Sequence, residues 1–324
     1  MDYIVYKLPN HTPIYTLEPS EDKETISFFN FDGEKKTGFK GIPKEITIEQ
    51  LKNQTIPTES LETHNSEVLF DKANYIDTIR EVMDFINAKD IKKLVISRQK
   101  YFEVEVSSLD LIETFLKLSE VYPSAFIYLF IKDTVCWIGA TPEILGKYNA
   151  ENEVFETMSL AGTLPLEQEW STKEIEEQKP VTEYIQQTLE QVASSVLVSE
   201  TYSTTSGNIK HLRNDFKAQL SADQLPSLIK TLHPTPAVCG IPKVLCKEAI
   251  QQFEPHERSL YSGYIQIQHH DKQYFFVNLR CAEVFRNRIL AYVGGGITAM
   301  SDPEKEWVET ELKSQAIGNH LVLR

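Results

Sequence analysis

The sequence predicts an α+β fold in which large, mostly antiparallel sheets pack together with helices outside, as a single intimately packed domain. Three observations lead to it. Strand-length apolar runs come in pairs joined by turns in both halves of the chain, as at residues 124–131 with 135–140 and 273–285 with 289–293, and such pairs form antiparallel ladders. Segments of helical period separate them, which places helices on the outside. With 324 residues, 41% hydrophobic and 25% charged, the chain can bury a large core, and neither an internal repeat nor a low-complexity linker divides it.

In chain order, residues 1–68 read as short strands and polar loops, for example Tyr3-Ile4-Val5-Tyr6 and Ile26-Ser27-Phe28-Phe29, with no recognisable chemistry. They are expected to join the same fold as residues 69–324, the region that carries the chemistry. Ile76, Ile79, Met83 and Ile86 give a helix over 74–90, and Leu94-Val95-Ile96 opens a strand running to about 106. Ser107 with Asp110 starts a helix to about 121, and another strand follows the 124–140 hairpin near 144–148. Ser171 and Glu174 form a capping box for a long helix to about 196, interrupted near its start by Pro180. Helices at 222–231 and 243–253 precede strands at 261–268, 273–285 and 289–293. The last of these runs into Gly294, Gly295 and Gly296, where backbone N–H groups can approach a ligand with no Cβ in the way. Ser301-Asp302-Pro303-Glu304 then caps a helix on which Glu306, Glu309 and Lys313 share a face. Taken alone, that face reads as a solvated charged stripe.

Composition excludes several classes of function. The net charge of −14 leaves no basic stripe for nucleic acid or an anionic membrane. It also opposes an anionic substrate unless local cations, backbone dipoles or a metal intervene. No run of 18 apolar residues is present, and the first residues lack a basic segment followed by an apolar one, so a cytoplasmic protein is expected. Cys136, Cys239, Cys246 and Cys281 have no C-x-x-C spacing and read as buried thiols. Asn10-His11-Thr12 and Asn53-Gln54-Thr55 match a glycosylation sequon that has no meaning in a cytosolic chain. Residues 139–147 imitate a phosphate-binding loop, but six residues separate the glycines where four are needed, and Tyr148 follows the lysine. His269-His270 reads as a solvated hairpin turn.

Eight stretches, in a fixed order, carry a family resemblance. Lys93-Leu94-Val95-Ile96-Ser97-Arg98 is similar to K-V-V-L-S-R, Gly139-Ala140-Thr141-Pro142-Glu143 to G-A-S-P-E, and Leu160-Ala161-Gly162-Thr163 to L-A-G-T. Glu174-Ile175-Glu176-Glu177-Gln178 is similar to E/D-R-x-E-H, with Gln178 in place of histidine. The stretch from Leu232 to Gly240 is similar to L-H-P-T-P-A-L-S-G, Glu254-Pro255-His256-Glu257-Arg258 to E-P-F-D-R, and Leu279-Arg280-Cys281-Ala282 to I-R-C-A. Last, GGGI followed by Glu306-Trp307-Val308-Glu309-Thr310-Glu311-Leu312-Lys313 matches a G-x-G-I strand end and E-W-x-E-T-x-x-K. From Lys93 to Lys313 the chain thus resembles the chorismate-utilising enzymes, the family of anthranilate synthase component I.

Within that family, ammonia-using members usually carry Gln at the position of Lys93, and aminodeoxychorismate synthases carry a nucleophilic Lys at the position of Ala161. Both absences favour water as the nucleophile. Salicylate synthases typically read F-P-A-x-T-x-S-G where this chain reads LHPTPAVCG. The resemblance therefore implies the isochorismate synthase branch, with chorismate as substrate. The alternatives are a salicylate synthase, or an inactive chorismate-binding homologue, against which the presence of Lys93, Glu143, Glu177 and Glu309 argues.

The resemblance also implies roles. Lys93 would be the base that activates water, which needs a neutral amine and hence burial. Glu143 would be the acid that protonates the leaving hydroxyl, its pKa raised by burial. Glu177 and Glu309 would hold Mg2+ through oxygen ligands. Glu174 and Glu306 are either further carboxylates near the ion or surface acids. Arg280 and Lys313 would hold substrate carboxylates, with Gly294, Gly295 and Gly296 adding backbone donors. Ala161, Gly162, Thr163 and Ala237 would line the pocket, and His233 either lines it or satisfies a turn. No glutamine amidotransferase subunit is expected, and the family default is a monomer.

Overall fold

Alternation along the strand Lys93–Phe102 shows how the fold builds its interior. Leu94 and Ile96 pack with Tyr75 and Ile79 of the helix Lys72–Lys89 and with Cys246, Ala249 and Ile250 of the helix Lys243–Phe253. Lys93 and Val95 therefore point the other way, into the molecule. The structure, a computed structural model, describes residues 2–21, 24–65, 70–206 and 209–324, with the backbone alone at 173, 177 and 206.

Among the described residues the strands form two sheets, and every pairing is antiparallel. The first runs in the order Gly240–Ile241, Lys93–Phe102, Ile289–Ile297, Cys281–Val284, Val135–Thr141, Phe126–Lys132, Tyr3–Lys7, Ile14–Glu18 and Ile42–Ile46. The second runs Ser195–Val198, Ile209–Gln219, Val154–Pro165, Ile144–Asn149, Lys272–Val277, Tyr264–His269, Glu24–Phe29 and Lys35–Lys40, with Tyr202–Ser206 also on Ile209–Gln219. Strands from residues 1–68 enter both sheets. An aromatic layer that includes Tyr6, Phe28, Phe126, Trp137, Phe276 and Tyr292 fills the space between them. Phe126 of the first sheet stacks on Phe276 of the second with ring centroids 4.5 Å apart. The helices Thr172–Glu190 and Leu225–Leu232 cover the outer face of the second sheet, and Leu111–Val121 that of the first. This is the α+β arrangement expected from the sequence.

Two of the places where the chain crosses between the sheets lie side by side. Pro142 and Glu143 join Val135–Thr141 of the first sheet to Ile144–Asn149 of the second, and residues 278–280 return from Lys272–Val277 to Cys281–Val284. Backbone bonds fasten one crossover to the other: the Ala140 N–H donates to the Arg280 carbonyl (3.0 Å) and the Val277 N–H to the Glu143 carbonyl (3.1 Å).

Several local expectations are corrected. The run 273–285 is two strands in different sheets, broken where Arg280 takes a left-handed φ of 47°. The helix from Thr172 continues through Pro180 and ends at Glu190, not near 196. The C-terminal helix Pro303–Gly318 is capped by Asp302, whose carboxylate accepts from the Glu304 and Lys305 N–H groups. His269 is buried rather than solvated, edge-on to Tyr15, and burial lowers its pKa to about 4; only His270 occupies the exposed turn. All four cysteines are buried free thiols.

Candidate active site

Two charged clusters in the sequence turn out to be staples that position a cavity. Glu254, just past the end of the helix Lys243–Phe253, and Arg258, in the irregular stretch after it, form a buried pair (2.6 Å). Glu254 accepts from the Ser97 N–H (2.6 Å), while Arg258 donates to the Val95 and Val238 carbonyls (2.9 and 2.8 Å). The strand that begins at Lys93 is thereby tied to the loop carrying Ala237. Arg98 does the same for the C-terminal helix: its guanidinium lies 3.9 Å from the Trp307 ring centroid, and its Nε donates to Thr310 Oγ1 (2.8 Å). Trp307 and Thr310 thus anchor the helix, and Glu306, Glu309 and Lys313 are left to face inward.

The cavity so formed holds about 790 Å³ of atom-free space, partly open to solvent, and its lining includes Lys93, Glu143, Ala237 and Arg280. Ala161, Gly162 and Thr163 of the strand Val154–Pro165, Gly294 to Gly296, Glu309 and Lys313 complete the walls that the sequence had pointed to. Lys93 is 4% exposed and Glu143 is 5% exposed. Burial raises the Glu143 pKa to about 7, against the opposing pull of Lys93, of a 3.4 Å hydrogen bond from Thr235 Oγ1, and of Lys313. Burial also lowers Arg280 to about 10, so it stays a cation at neutral pH. Lys313 Nζ pairs with Glu309 Oε1 (2.7 Å) and donates to the Gly294 carbonyl (2.9 Å). The three glycines form one edge of the strand Ile289–Ile297; its pairing with Cys281–Val284 stops at Tyr292, so beyond that point only the Lys93–Phe102 side is laddered.

Carboxylates gather at the junction of this cavity with an outer cleft walled by Glu174, Glu306 and Glu309. Glu306 is 2% exposed, so it is no surface acid. A Cβ built on Gly295 would lie 3.1 Å from Glu306 Oε2, 4.0 Å from Glu309 Oε1 and 4.0 Å from the Tyr75 hydroxyl, so three oxygens surround one point that only glycine leaves open. The donors are all hard oxygens, without imidazole or thiolate, which suits Mg2+. Glu174 is 6% exposed, and its Oε2 accepts from the Ser171 N–H (3.0 Å) and Oγ, capping its own helix. Among the described residues no three carboxylate, His or Cys side chains form a complete metal-binding set. The side chain of Glu177 lies outside the described residues, on the helix Thr172–Glu190.

The model of the family described as "Chorismate binding enzyme" matches residues 11–322. The chain belongs to this family. Isochorismate synthase MenF from Haemophilus influenzae is 24% identical over 300 residues, covering 88% of this chain and 65% of that protein. Anthranilate synthase component 1 from Acinetobacter calcoaceticus is 24% identical over 277 residues, covering 78% and 54%. The chain therefore spans between about half and two thirds of the length of these relatives. The solved structure of MenF, the menaquinone-specific isochorismate synthase from Escherichia coli, superposes with a TM-score of 0.80 at 20% identity, covering 99% of this chain and 89% of that one. At that identity the match establishes the fold.

For this chorismate binding enzyme, one sequence-predicted site residue falls away. His233 does not line the cavity: its Nε2 contacts the Phe31 carbonyl (3.1 Å), its ring lies edge-on to Tyr264, and burial lowers its pKa to about 4. Gln178 donates to Ser159 Oγ (2.9 Å) and Asn214 Oδ1 (3.1 Å), tying its helix to the second sheet. Sequence reasoning missed His211, Tyr261 and Tyr292 on the cavity wall. His211 Nδ1 lies 3.0 Å from the Gly162 carbonyl and 3.2 Å from Thr163 Oγ1, holding the loop at Gly162, whose φ is 65°. A lone histidine in a polar strand gives no pattern that would single it out. No helix among the described residues is long and apolar enough to cross a membrane.

Proposed function

We propose that this chain is a Mg2+-dependent isochorismate synthase, adding water at C2 of chorismate and expelling the C4 hydroxyl. The observation that carries the reading is the pairing, in one cavity, of a buried lysine with a buried carboxyl whose pKa lies near 7. Acid and base chemistry at neutral pH needs such a pair. The Lys93 amine takes a proton from water as the water oxygen bonds to C2. The ring double bonds shift, and Glu143 gives its proton to the C4 oxygen, which leaves as water. Ala161 supports water rather than a protein nucleophile, because its methyl lines the wall and nothing there can attack the ring. Arg280 and Lys313, both on the cavity wall, would meet the substrate carboxylates with charge-assisted hydrogen bonds, offsetting the repulsion from a net charge of −14. Glu309, Glu306 and Glu177 would hold Mg2+, which when bound supplies a positive charge to neutralise a substrate carboxylate. We assign residues 1–68 to the same catalytic unit as 69–324, and expect a cytoplasmic enzyme that needs no amidotransferase subunit.

The test is to incubate the purified chain with chorismate and Mg2+, with and without ammonium and with a chelator, and to identify products by chromatography and mass. Isochorismate that disappears with the chelator supports the reading. Anthranilate formed with ammonium, or salicylate with pyruvate, would assign a different reaction to the same cavity.

A further inference from the structure

The buried stripe of the helix Lys72–Lys89 consists of Tyr75, Ile76, Ile79, Val82 and Ile86, and Tyr75 alone brings a polar atom into it. Its ring is 0% exposed and edge-on to Phe70 and Trp307, with centroids 5.7 and 5.6 Å away. Its hydroxyl has no hydrogen-bond partner among the described residues. Leaving such a group unpaired is unfavourable, and phenylalanine would fill the same space without it. The hydroxyl lies 4.0 Å from the point above Gly295 that Glu306 Oε2 and Glu309 Oε1 also flank, at 3.1 and 4.0 Å, and a ligand there would satisfy it.

Resting on the Mg2+ reading given above, we propose that Tyr75 is a positioning residue of the divalent-cation site, its hydroxyl giving an outer hydrogen bond to the hydrated ion that Glu306 and Glu309 hold. Outer partners of this kind orient the inner ones, and their loss weakens metal binding by about 10–100-fold. The same geometry makes a second, opposite demand on the metal-free protein. There the hydroxyl is an unsatisfied group, so removing it relieves the fold.

The experiment compares wild type and Tyr75→Phe, without substrate, using Mn2+ as probe. Free Mn2+ is measured by electron paramagnetic resonance during titration, and thermal unfolding is recorded with and without the ion. The expected result is an affinity about tenfold weaker in Tyr75→Phe, together with a metal-free melting temperature equal to or above that of wild type. Equal Mn2+ affinity in the two proteins would overturn the role of Tyr75 and leave the cation site standing. A metal-free variant that melts below wild type would assign the hydroxyl to the fold and overturn the proposal as well. Failure of wild type to bind Mn2+ would remove the Mg2+ reading on which the proposal rests.

Discussion

Replacing Glu143 by glutamine should change how stability depends on pH, and by an amount the structure fixes. In the unfolded chain this carboxyl loses its proton near 4.5; folded, it keeps it until about 7. Between those values the native state binds more protons than the unfolded one, so stability falls as pH rises. A difference of about 2.5 pH units at 1.36 kcal/mol each is about 3 kcal/mol, absent below pH 4.5 and complete above pH 7. At 5% exposure, solvent screens little of it. Glu283, raised by burial to about 7 as well, adds its own slope, but that slope is common to both proteins and cancels in the comparison. Urea unfolding at pH 4.5 and pH 8, with a chelator present, should show Glu143→Gln gaining about 3 kcal/mol on wild type across the interval. Its turnover should be lower by about 10²–10⁴, since the amide has no proton to give. Parallel stability profiles for the two proteins would refute the argument that burial holds this carboxyl protonated.

Other substitutions examine other parts of the site. Lys93→Ala should lower turnover by about 10²–10⁴ while calorimetry still detects chorismate binding; activity near wild type would reject Lys93 as the base. Gly295→Ala places a methyl 3.1 Å from Glu306 Oε2 and should raise the Mg2+ needed for half-maximal turnover by about tenfold, so an unchanged requirement would detach Glu306 from the ion. Arg258→Ala leaves Glu254 as an uncompensated buried charge and should cost about 3–5 kcal/mol in urea unfolding; a loss below 1 kcal/mol would show that water reaches the pair.

What the sequence made legible follows from how local the cause is. The C-terminal helix could be placed because Asp302 and Pro303 act within one turn, and the Lys93 strand because its apolar run has nothing to compete with it. The break between Val277 and Cys281 could not be placed, because FFVNLRCAEVF is a continuous strand-like run and only the packing of two sheets demands a left-handed Arg280. His269 was misjudged for a similar reason: its neighbours in sequence are polar, while Tyr6 and Tyr15, which bury it, lie more than 250 residues away. In the site, Lys93, Glu143, Arg280 and Lys313 were legible only through resemblance, since nothing in their own surroundings marks them. Tyr75 carried a readable signal that was missed. A tyrosine on the apolar stripe of a helix brings a hydroxyl into the core, and that hydroxyl has to be answered by something.

The two fastened crossovers couple the sheets to each other. Glu143 and Arg280 each sit where the chain passes from one sheet to the other, and each crossover is held to the other through its backbone. Neither sheet can slide over its partner without dragging the acid, the arginine, or both. Phe126 pairs with Thr141 and Phe276 with Ile144, on either side of Pro142 and Glu143, so a repacking of the Phe126–Phe276 stack would displace the Glu143 carboxyl directly. The position of Glu143 is in this sense tied to the aromatic layer through the backbone of both crossovers.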